Sequence, residues 1–232
     1  MTADYTLSTI AKMIDHSLLG PVLTDRQLEE GLQVAVQYDV ASVCIKPYYL
    51  ARCTEVLAGT TIAPSTVIGF PHGTNATRMK IAEARQALSD GGKELDCVVN
   101  IGKVLTGDWD FVTREIQELA DCIHAGGARI KMIFENCYLE DAHKIQLCEI
   151  CGGARVDWVK TSTGYGTGGA TLDDLKLMRT HAPAPVQVKA AGGVRTFAQL
   201  LEVRALGVTR VGATRTIDIL EACRQELGEG EA

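Results

Sequence analysis

The segment from Val156 to Gly169 joins a short apolar run to a loop rich in glycine, and Lys160 stands at the junction. The apolar run suits a buried β-strand, and the glycines after it let the backbone approach a ligand closely. An amine at the carboxyl end of a buried strand, facing such a loop, is well placed to form a Schiff base with a carbonyl compound. The alternative is that Lys160 merely ends the strand and points to water. This segment alone favours neither interpretation.

Lys189 precedes a second glycine-rich segment, which continues to Thr196. A lysine with the ordinary pKa of about 10.4 is almost entirely protonated at neutral pH and is then no nucleophile. A neighbouring ammonium group and partial burial both lower the pKa of a lysine and leave a reactive amine. We expect Lys160 and Lys189 on neighbouring strands, so that one is the nucleophile and the other its electrostatic activator. The residues alone do not decide which lysine has which role.

Three segments that combine glycine with hydroxyl or basic side chains predict a phosphate site. Backbone N–H groups of such loops bind phosphate in many α/β proteins, together with the N-termini of the helices that follow. Close packing of helices on strands would account for one such loop, but poorly for three that converge. The residues that we expect at this site are Thr163, Gly164, Gly192, Gly193, Arg195, Gly212 and Thr214.

These residues can act together only if the chain brings the ends of several strands to one place. Short apolar runs alternate with helical patterns, and we predict strands at 14–19, 41–45, 65–70, 94–100, 128–134, 156–160, 186–189 and 209–212. The predicted helices are one that follows Thr24 and others at 48–57, 75–88, 109–124, 139–151, 172–179, 196–206 and 217–227. Several of these helices end at glycine pairs, including Gly152–Gly153, which is typical of left-handed caps.

Eight strand–helix units in 232 residues predict an α/β protein with a single (β/α)8 TIM-barrel domain over residues 1–232. An open doubly wound sheet is the second possibility, although no Gly-x-Gly-x-x-Gly turn follows the first strand. In a barrel, the carboxyl ends of the strands form the active site. Three lysines there would be costly to desolvate in a purely structural protein. The side chains expected at these ends include Asp15, His16, Cys44, Lys46, His72, Asp96, Asn100, Lys131, Glu135, Lys160, Lys189 and Thr214.

Composition argues against several other classes of protein. The formal net charge of −6 disfavours a nucleic-acid-binding protein, which requires a basic face. We find neither a membrane-spanning run nor a signal segment and expect a cytoplasmic protein without nucleic-acid or membrane partners. The eight cysteines follow no disulfide pattern, and the Cys148-x-x-Cys151 pair lacks the further ligands of a zinc site. We therefore expect buried, reduced thiols and no metal site.

Five segments together resemble the deoxyribose-phosphate aldolases: Ile14–Leu19, Val67–Pro71, Glu94–Gly102, Val159–Thr171 and Lys189–Thr196. The resemblance extends from about Ile10 to Glu221. It implies a class I aldolase that reversibly cleaves 2-deoxy-D-ribose 5-phosphate to acetaldehyde and D-glyceraldehyde 3-phosphate, in the breakdown of deoxyribose phosphate. Such an enzyme needs neither metal nor cofactor, because a lysine forms a covalent Schiff base with the substrate. We expect a homodimer or homotetramer with a small phosphorylated sugar as its substrate.

The resemblance also implies roles for individual residues. The Schiff-base lysine of the family falls on Lys160, its activating lysine on Lys189 and its proton-relay aspartate on Asp96. Family positions that line the substrate pocket fall on Asp15 and Cys44, and the third family lysine falls on Lys131.

The sequence departs from the family pattern at Lys46, His72 and Asn136, in the Gly-Ala-Thr-Arg-Thr loop after the last strand, and in a tail without a terminal tyrosine. None of these departures alters Lys160, Lys189 or Asp96. They raise the possibility of a related lysine aldolase with a shifted donor or acceptor. A non-catalytic phosphosugar-binding barrel is the alternative from another class, but binding alone would not need an activated amine.

Overall fold

Eight parallel strands hydrogen-bond side by side in sequence order and close into a barrel, with the last strand pairing back to the first. In the computed structural model, which describes residues 4–228, the strands are β1 (Ile14–Leu18), β2 (Ser42–Ile45), β3 (Ala63–Ile68), β4 (Glu94–Val98), β5 (Arg129–Ile133), β6 (Trp158–Lys160), β7 (Gln187–Ala191) and β8 (Arg210–Ala213). The predicted (β/α)8 TIM barrel is therefore confirmed, and the open sheet is excluded. The C-terminal tail, whose lack of a tyrosine was noted above, lies outside the described residues.

Helices follow every strand and cover the outside of the barrel. They are α1 (Leu7–Ala11), α2 (Asp25–Tyr38), α3 (Leu50–Val56), α4 (Thr77–Ser89), α5 (Ile101–Thr106), α6 (Trp109–Ala125), α7 (Asp141–Gly153), α8 (Leu172–His181), α9 (Phe197–Ala205) and α10 (Thr216–Glu226). Two short 3-10 turns, Pro47–Tyr49 and Asn136–Tyr138, follow β2 and β5. Because helices cover the outer face and side chains fill the interior, nearly every strand residue is buried, as parallel sheets require.

Helices α2, α8 and α9 begin at threonine side-chain caps, of which the one at Thr24 was predicted. The hydroxyl oxygens of Thr24, Thr171 and Thr196 each accept a backbone N–H from the first turn of α2, α8 and α9. The caps of α8 and α9 fix the ends of the loops that follow β6 and β7. These two loops carry the glycine-rich segments.

The structure corrects the sequence prediction at one glycine pair. Gly152 and Gly153 lie inside α7, and the left-handed residue that follows the helix is Arg155, with φ of 57°. A Cβ on Gly152 would lie 2.2 Å from Cγ of Pro183, so glycine at this position permits close packing and does not cap the helix. By contrast, Gly207 has φ of 83° directly after α9, as expected of a left-handed cap.

Two helices have no counterpart among the predicted elements. Helix α1 precedes the first strand, and α5 follows β4 before the predicted long helix α6. Helix α5 has only six residues, and its signals are local: the Asn100 side chain accepts the Lys103 N–H at its start, and Gly107 is left-handed at its end. Six residues are too few for an amphipathic pattern, so periodicity missed it.

The interior between barrel and helices is mostly apolar, apart from groups such as the buried Lys80–Glu115 ion pair, and includes the two cysteines of the C-x-x-C motif. Both Cys148 and Cys151 are buried free thiols on α7, and burial raises the pKa of Cys148 to about 12. Within residues 4–228, no group of three or more His, Cys, Asp and Glu side chains could hold a metal ion. Among the same residues, no helix has both the length and the apolarity that crossing a bilayer requires.

Candidate active site

Asp96 joins three lysines that come from three different strands. Its Oδ2 accepts hydrogen bonds from Lys160 Nζ and Lys189 Nζ, each at 2.7 Å, and its Oδ1 accepts one from Lys131 Nζ at 3.0 Å. The register of the sheet causes this convergence, because Asp96 pairs with Lys131 and Lys160 pairs with Lys189. None of the four side chains belongs to a residue more than 3% exposed, so their charges interact in a poorly solvated interior.

Asp15 adds a second carboxylate and makes the three lysines unequal. Its Oδ2 lies 2.6 Å from Lys189 Nζ and 3.3 Å from Lys131 Nζ. Lys131 also pairs with Glu94 at 2.6 Å. Within the described residues, Lys131 therefore has three carboxylate partners, Lys189 has two, and Lys160 has only Asp96.

The protonation of these groups follows their partners. Burial lowers the pKa of Lys160, Asp96 opposes that shift, the Lys189 ammonium adds to it, and the resulting pKa lies below its ordinary value. Burial acts in the same direction on Lys189, but Asp15 and Asp96 outweigh it and raise the pKa. Burial raises the pKa of Asp96, yet the three ammonium groups outweigh burial and hold the pKa far below its ordinary value. Lys160 is thus the lysine that most readily loses its proton, and Asp96 stays ionised.

A cavity of about 300 Å³ opens at the carboxyl ends of the strands. Lys160 and Lys189 form part of its wall, whereas Asp96 and Lys131 are fully buried beneath it. Lys131 is therefore the one predicted substrate-binding residue that does not line the cavity. The others all line it, namely Asp15, Cys44, Thr163, Gly164, Gly192, Gly193, Arg195, Gly212 and Thr214.

One end of this cavity presents unused backbone donors. The N–H groups of Gly164, Gly192 and Gly193 donate to no protein acceptor within residues 4–228. All three residues have positive φ, of 88°, 72° and 119°, a conformation that glycine adopts without strain. Arg195 adds a cation beside them. These groups form a site suited to a phosphate or another anion.

Thr163 lines the same end of the cavity, but its polar groups are already occupied. Its N–H and its hydroxyl both donate to the Glu135 carboxylate, and its hydroxyl oxygen accepts the Tyr165 N–H. Glu135 itself is buried and has φ of 60°, so its backbone is left-handed. This carboxylate anchors the loop after β6. Glu135 was expected at a strand end, but no function was predicted for it.

Three charged residues near the site were missed in the sequence. They lie at the starts of their strands, away from the carboxyl ends where the site residues were expected: Glu94 on β4, Arg129 on β5 and Arg210 on β8. Strand alternation could have found two of them, because Glu94 lies two residues before Asp96 and Arg210 two residues before Gly212, and such residues share a face. By the same alternation His16, next to Asp15, points outside the barrel, where its Nδ1 lies 2.7 Å from the Thr216 hydroxyl.

Three of the residues that depart from the family pattern, Lys46, His72 and Asn136, lie away from the cavity wall. Lys46 Nζ donates to the Leu23 carbonyl at 2.8 Å and so fastens the loop after β1. His72 is exposed, and neither residue lines the cavity. Asn136 is buried, with its amide directed at the Met178 sulfur. These positions give no structural support for a shifted donor or acceptor.

Comparison with known proteins agrees with this site. A relative in Rhodopirellula baltica, named deoxyribose-phosphate aldolase, is 62% identical over 226 residues, which are 97% of this chain and 94% of that protein. Another of the same name, in Thermococcus gammatolerans, is 43% identical over 93% of this chain and 96% of its own length. The solved structure of a tetrameric deoxyribose phosphate aldolase from Aeropyrum pernix is 26% identical, with a TM-score of 0.87 over 95% of this chain and 93% of that chain.

The family match covers most of the barrel. Residues 9–214 match the sequence pattern of the DeoC/LacD family aldolases. This range includes all eight strands, both glycine-rich loops and every lysine of the site. The site also suits an aldolase, because three lysines surround one carboxylate and two of them, Lys160 and Lys189, line the cavity. The chain belongs to the DeoC/LacD family of aldolases.

Proposed function

We propose that this protein is a deoxyribose-phosphate aldolase that cleaves 2-deoxy-D-ribose 5-phosphate to acetaldehyde and D-glyceraldehyde 3-phosphate through a Schiff base on Lys160. The observation that carries the proposal is the position of Lys160 Nζ on the cavity wall, beside Lys189 and hydrogen-bonded to Asp96. The close relatives bearing this name support the substrate. The lowered pKa of Lys160 supports its role as the nucleophile.

The unequal partners of the lysines support this choice between Lys160 and Lys189. Deprotonating Lys189 would leave Asp15 and Asp96 without a cation that both contact. Deprotonating Lys160 takes one of three ammonium partners from Asp96 and leaves the other two in place. Lys189 is then the activator, because its positive charge disfavours protonation of Lys160.

The reaction follows from this protonation. The Lys160 amine adds to the C1 aldehyde of the open-chain sugar. The hydroxyl of the resulting carbinolamine takes up one proton and leaves as water, which gives a protonated imine. The C3 hydroxyl then gives up its proton and the C2–C3 bond breaks. The electron pair of the C2–C3 bond forms the C1–C2 double bond of an enamine, and the π electrons of the iminium move to its nitrogen. The phosphorylated aldehyde leaves. The remaining enamine takes a proton at C2, and hydrolysis releases acetaldehyde and the free amine. The iminium nitrogen accepts the electrons, so no metal is needed for this step.

Asp96 is suited to the proton transfers, in our proposal through a water molecule. It is ionised, and its Oδ2 already lies within hydrogen-bonding distance of the nitrogen that becomes the imine. Lys131 holds the other oxygen and keeps the carboxylate oriented. Asp96 does not line the cavity itself, which is why a water is required to reach C2.

The phosphate of the substrate would bind at the opposite end of the cavity. The N–H groups of Gly164, Gly192 and Gly193 and the Arg195 guanidinium are its proposed ligands. Gly212 near the end of β8 and Thr214 in the loop that leads into α10 line the cavity beside them. Thr163 would support the site through its loop, since its own polar groups are bound to Glu135.

We also propose that the chain acts as one domain within a homodimer or homotetramer in the cytoplasm. The Aeropyrum pernix protein is a tetramer by description, and the buried thiols Cys148 and Cys151 suit a reducing compartment. Light scattering on the purified protein measures the assembly, and the mass of a single chain would contradict the proposal.

Reductive trapping tests the function. Acetaldehyde followed by borohydride should modify Lys160, as located by peptide mass mapping, and Lys160→Met should abolish both trapping and cleavage of deoxyribose 5-phosphate. The matched control Lys176→Met removes an exposed surface lysine and should leave both unchanged. EDTA should not affect the rate. An adduct on Lys131 or Lys189 would contradict the assignment, and binding of the sugar phosphate without any adduct would favour the non-catalytic alternative.

A further inference from the structure

A pair of oppositely charged side chains lies at the amino end of the barrel interior, beneath the lysines. Arg210 Nη1 donates to Glu94 Oε2 at 2.8 Å, and Arg210 Nη2 donates to Glu94 Oε1 at 2.9 Å. Arg210 Nη1 also donates to Asp15 Oδ1 at 2.5 Å. Arg210 is 8% exposed and Glu94 is fully buried, and neither lines the cavity. The pair therefore touches no substrate and can act only through other residues.

The contacts from this pair lead to Lys160 in few steps. Arg210 holds one oxygen of Asp15, and the other oxygen of Asp15 holds Lys189. Lys189 shares Asp96 Oδ2 with Lys160. On the other side, Glu94 holds Lys131, which in turn holds Asp96 Oδ1. Both routes end on the carboxylate that Lys160 contacts.

The charges of the connected cluster do not balance if every group is ionised. Its buried anions are Asp15, Glu94 and Asp96, whereas its buried cations are Lys131, Lys160, Lys189 and Arg210. An uncompensated charge in a poorly solvated interior is costly. The state of lowest free energy is therefore the one in which one of the four basic groups is neutral. Arg210 cannot be that group, since guanidinium does not lose its proton in proteins. The excess therefore falls on a lysine.

Building on the proposed function, we propose that Arg210 is a positioning residue of the reaction. Its fixed charge satisfies Asp15 and Glu94, and this leaves Lys160 as the lysine in the uncharged, nucleophilic form. If Arg210 were neutral, three carboxylates would face three lysines, and Lys160 would keep its proton. If Glu94 were neutral instead, the excess positive charge would grow and Lys160 would lose its proton more easily. Opposite effects from two neighbouring residues are the signature of this mechanism.

Other groups near Lys160 do not upset this balance. Cys44 of β2 lines the same cavity, and burial raises the pKa of its thiol, so it stays neutral. Tyr165 in the loop after β6 also stays neutral, because burial raises its pKa. Arg129 at the start of β5 contacts Glu94, but its side chain is 49% exposed, so water compensates much of its charge. It adds to the positive excess and does not reverse it.

The test measures the pKa of Lys160 directly, in protein labelled with ¹³C at lysine Cε, by NMR titration with the signal assigned through Lys160→Met. Arg210→Met should raise this pKa by about one unit or more, and Glu94→Gln should lower it by a similar amount. The double variant should return toward the wild-type value, since its charges are offset as in the wild type. Arg210→Lys keeps the charge and is the matched control, with a pKa near that of the wild type.

The titration distinguishes two results. Shifts of opposite sign with a compensating double variant support the positioning role. An unchanged Lys160 pKa in Glu94→Gln overturns it, even if Arg210→Met fails to fold and even if activity falls. Failure of the proposed function would be seen separately, as absence of the Lys160 adduct in the wild-type trapping experiment. The NMR result stands in either case, because it requires no substrate.

Discussion

At the scale of single residues, the main feature of the site is that one carboxylate, that of Asp96, accepts hydrogen bonds from three lysines. Asp96 binds three ammonium groups and is the only carboxylate partner of Lys160 within the described residues. In the proposed reaction, once Lys160 has formed an imine, Asp96 keeps Lys131 and Lys189 as partners and so stays ionised. The same oxygen that held the amine is then available to a water that carries protons. If Asp96 served only as a structural ion-pair partner, it would not need to transfer protons.

Asp96→Asn should therefore impair proton transfer more than folding. We expect the exchange of acetaldehyde methyl protons with deuterated solvent, followed by NMR, to slow by at least about a hundredfold, the usual size of an acid–base contribution. Asp121→Asn changes an exposed carboxylate on α6 and is the matched control. Near-normal exchange in folded Asp96→Asn would transfer the role to another group, and Asp15 on the cavity wall would be the next candidate.

Lys189→Leu should move the rise of activity with pH to higher pH. The free amine of Lys160 forms as pH rises through its pKa, and Lys189 lowers that pKa by its positive charge. Removing the charge raises the pKa, so the midpoint of the profile of kcat/KM against pH should move upward by about one unit or more. A lower rate with an unmoved midpoint would mean that Lys189 only orients the substrate.

At the scale of elements, two loops create the proposed phosphate site by approaching each other closely. The loop after β6 and the loop after β7 meet at Gly169 and Gly192, where the Ala170 N–H donates to the Gly192 carbonyl at 2.7 Å. A Cβ on Gly169 would lie 1.9 Å from that carbonyl oxygen. No side chain fits there, so the glycine is needed for the approach and not only for flexibility.

Gly169→Ala should separate the loops and weaken recognition of phosphate. We expect kcat/KM for deoxyribose 5-phosphate to fall at least about tenfold, since small misplacements of binding groups have large effects on rate. Unphosphorylated deoxyribose should lose much less. Gly153→Ala is the matched control, because a Cβ there would meet no atom within 4 Å. Equal losses on both sugars would place the phosphate site elsewhere.

At the scale of the whole molecule, a histidine buried between the barrel and its helices makes stability depend on pH. His16 is 6% exposed on the outer face of β1, and burial lowers its pKa from 6.5 to about 4. Between these values the unfolded chain binds a proton that the folded protein does not, so stability falls as pH drops through this window. Asp15 and Asp96 have pKa values below 3.8 in the fold, so their contribution is lost only at lower pH.

Urea unfolding at pH 7 and pH 4 should show this effect. The wild type should lose roughly 3 kcal/mol of unfolding free energy between them from His16, at about 1.4 kcal/mol per pKa unit. His16→Gln should lose correspondingly less over the same range, whatever its stability at pH 7. His72→Gln changes an exposed histidine and should behave like the wild type. An equal loss in all three proteins would contradict the assignment to His16.

Local signals in the sequence determined most of the architecture. Alternating strand and helix patterns gave the eight units of the barrel, because a parallel sheet buried on both faces leaves short apolar runs between amphipathic helices. They also placed Lys160 and Lys189 on neighbouring strands at the correct end. The errors fell where local signals are ambiguous or short, at Gly152–Gly153 and at α5. The sequence alone does not distinguish a glycine that permits close packing, such as Gly152, from one that caps a helix.

The difference in pKa between Lys160 and Lys189 was decided only by the tertiary structure. It depends on which carboxylates each amine meets, and those come from β1 and β4, far from Lys160 in sequence. Closure of the barrel brings Arg210 of β8 to Asp15 of β1, 195 residues apart. Electrostatic interactions in a buried cluster depend on distances between side chains and on access to water. Neither quantity is encoded in local sequence, so the sequence determined the set of amines, and the folded barrel determined their protonation.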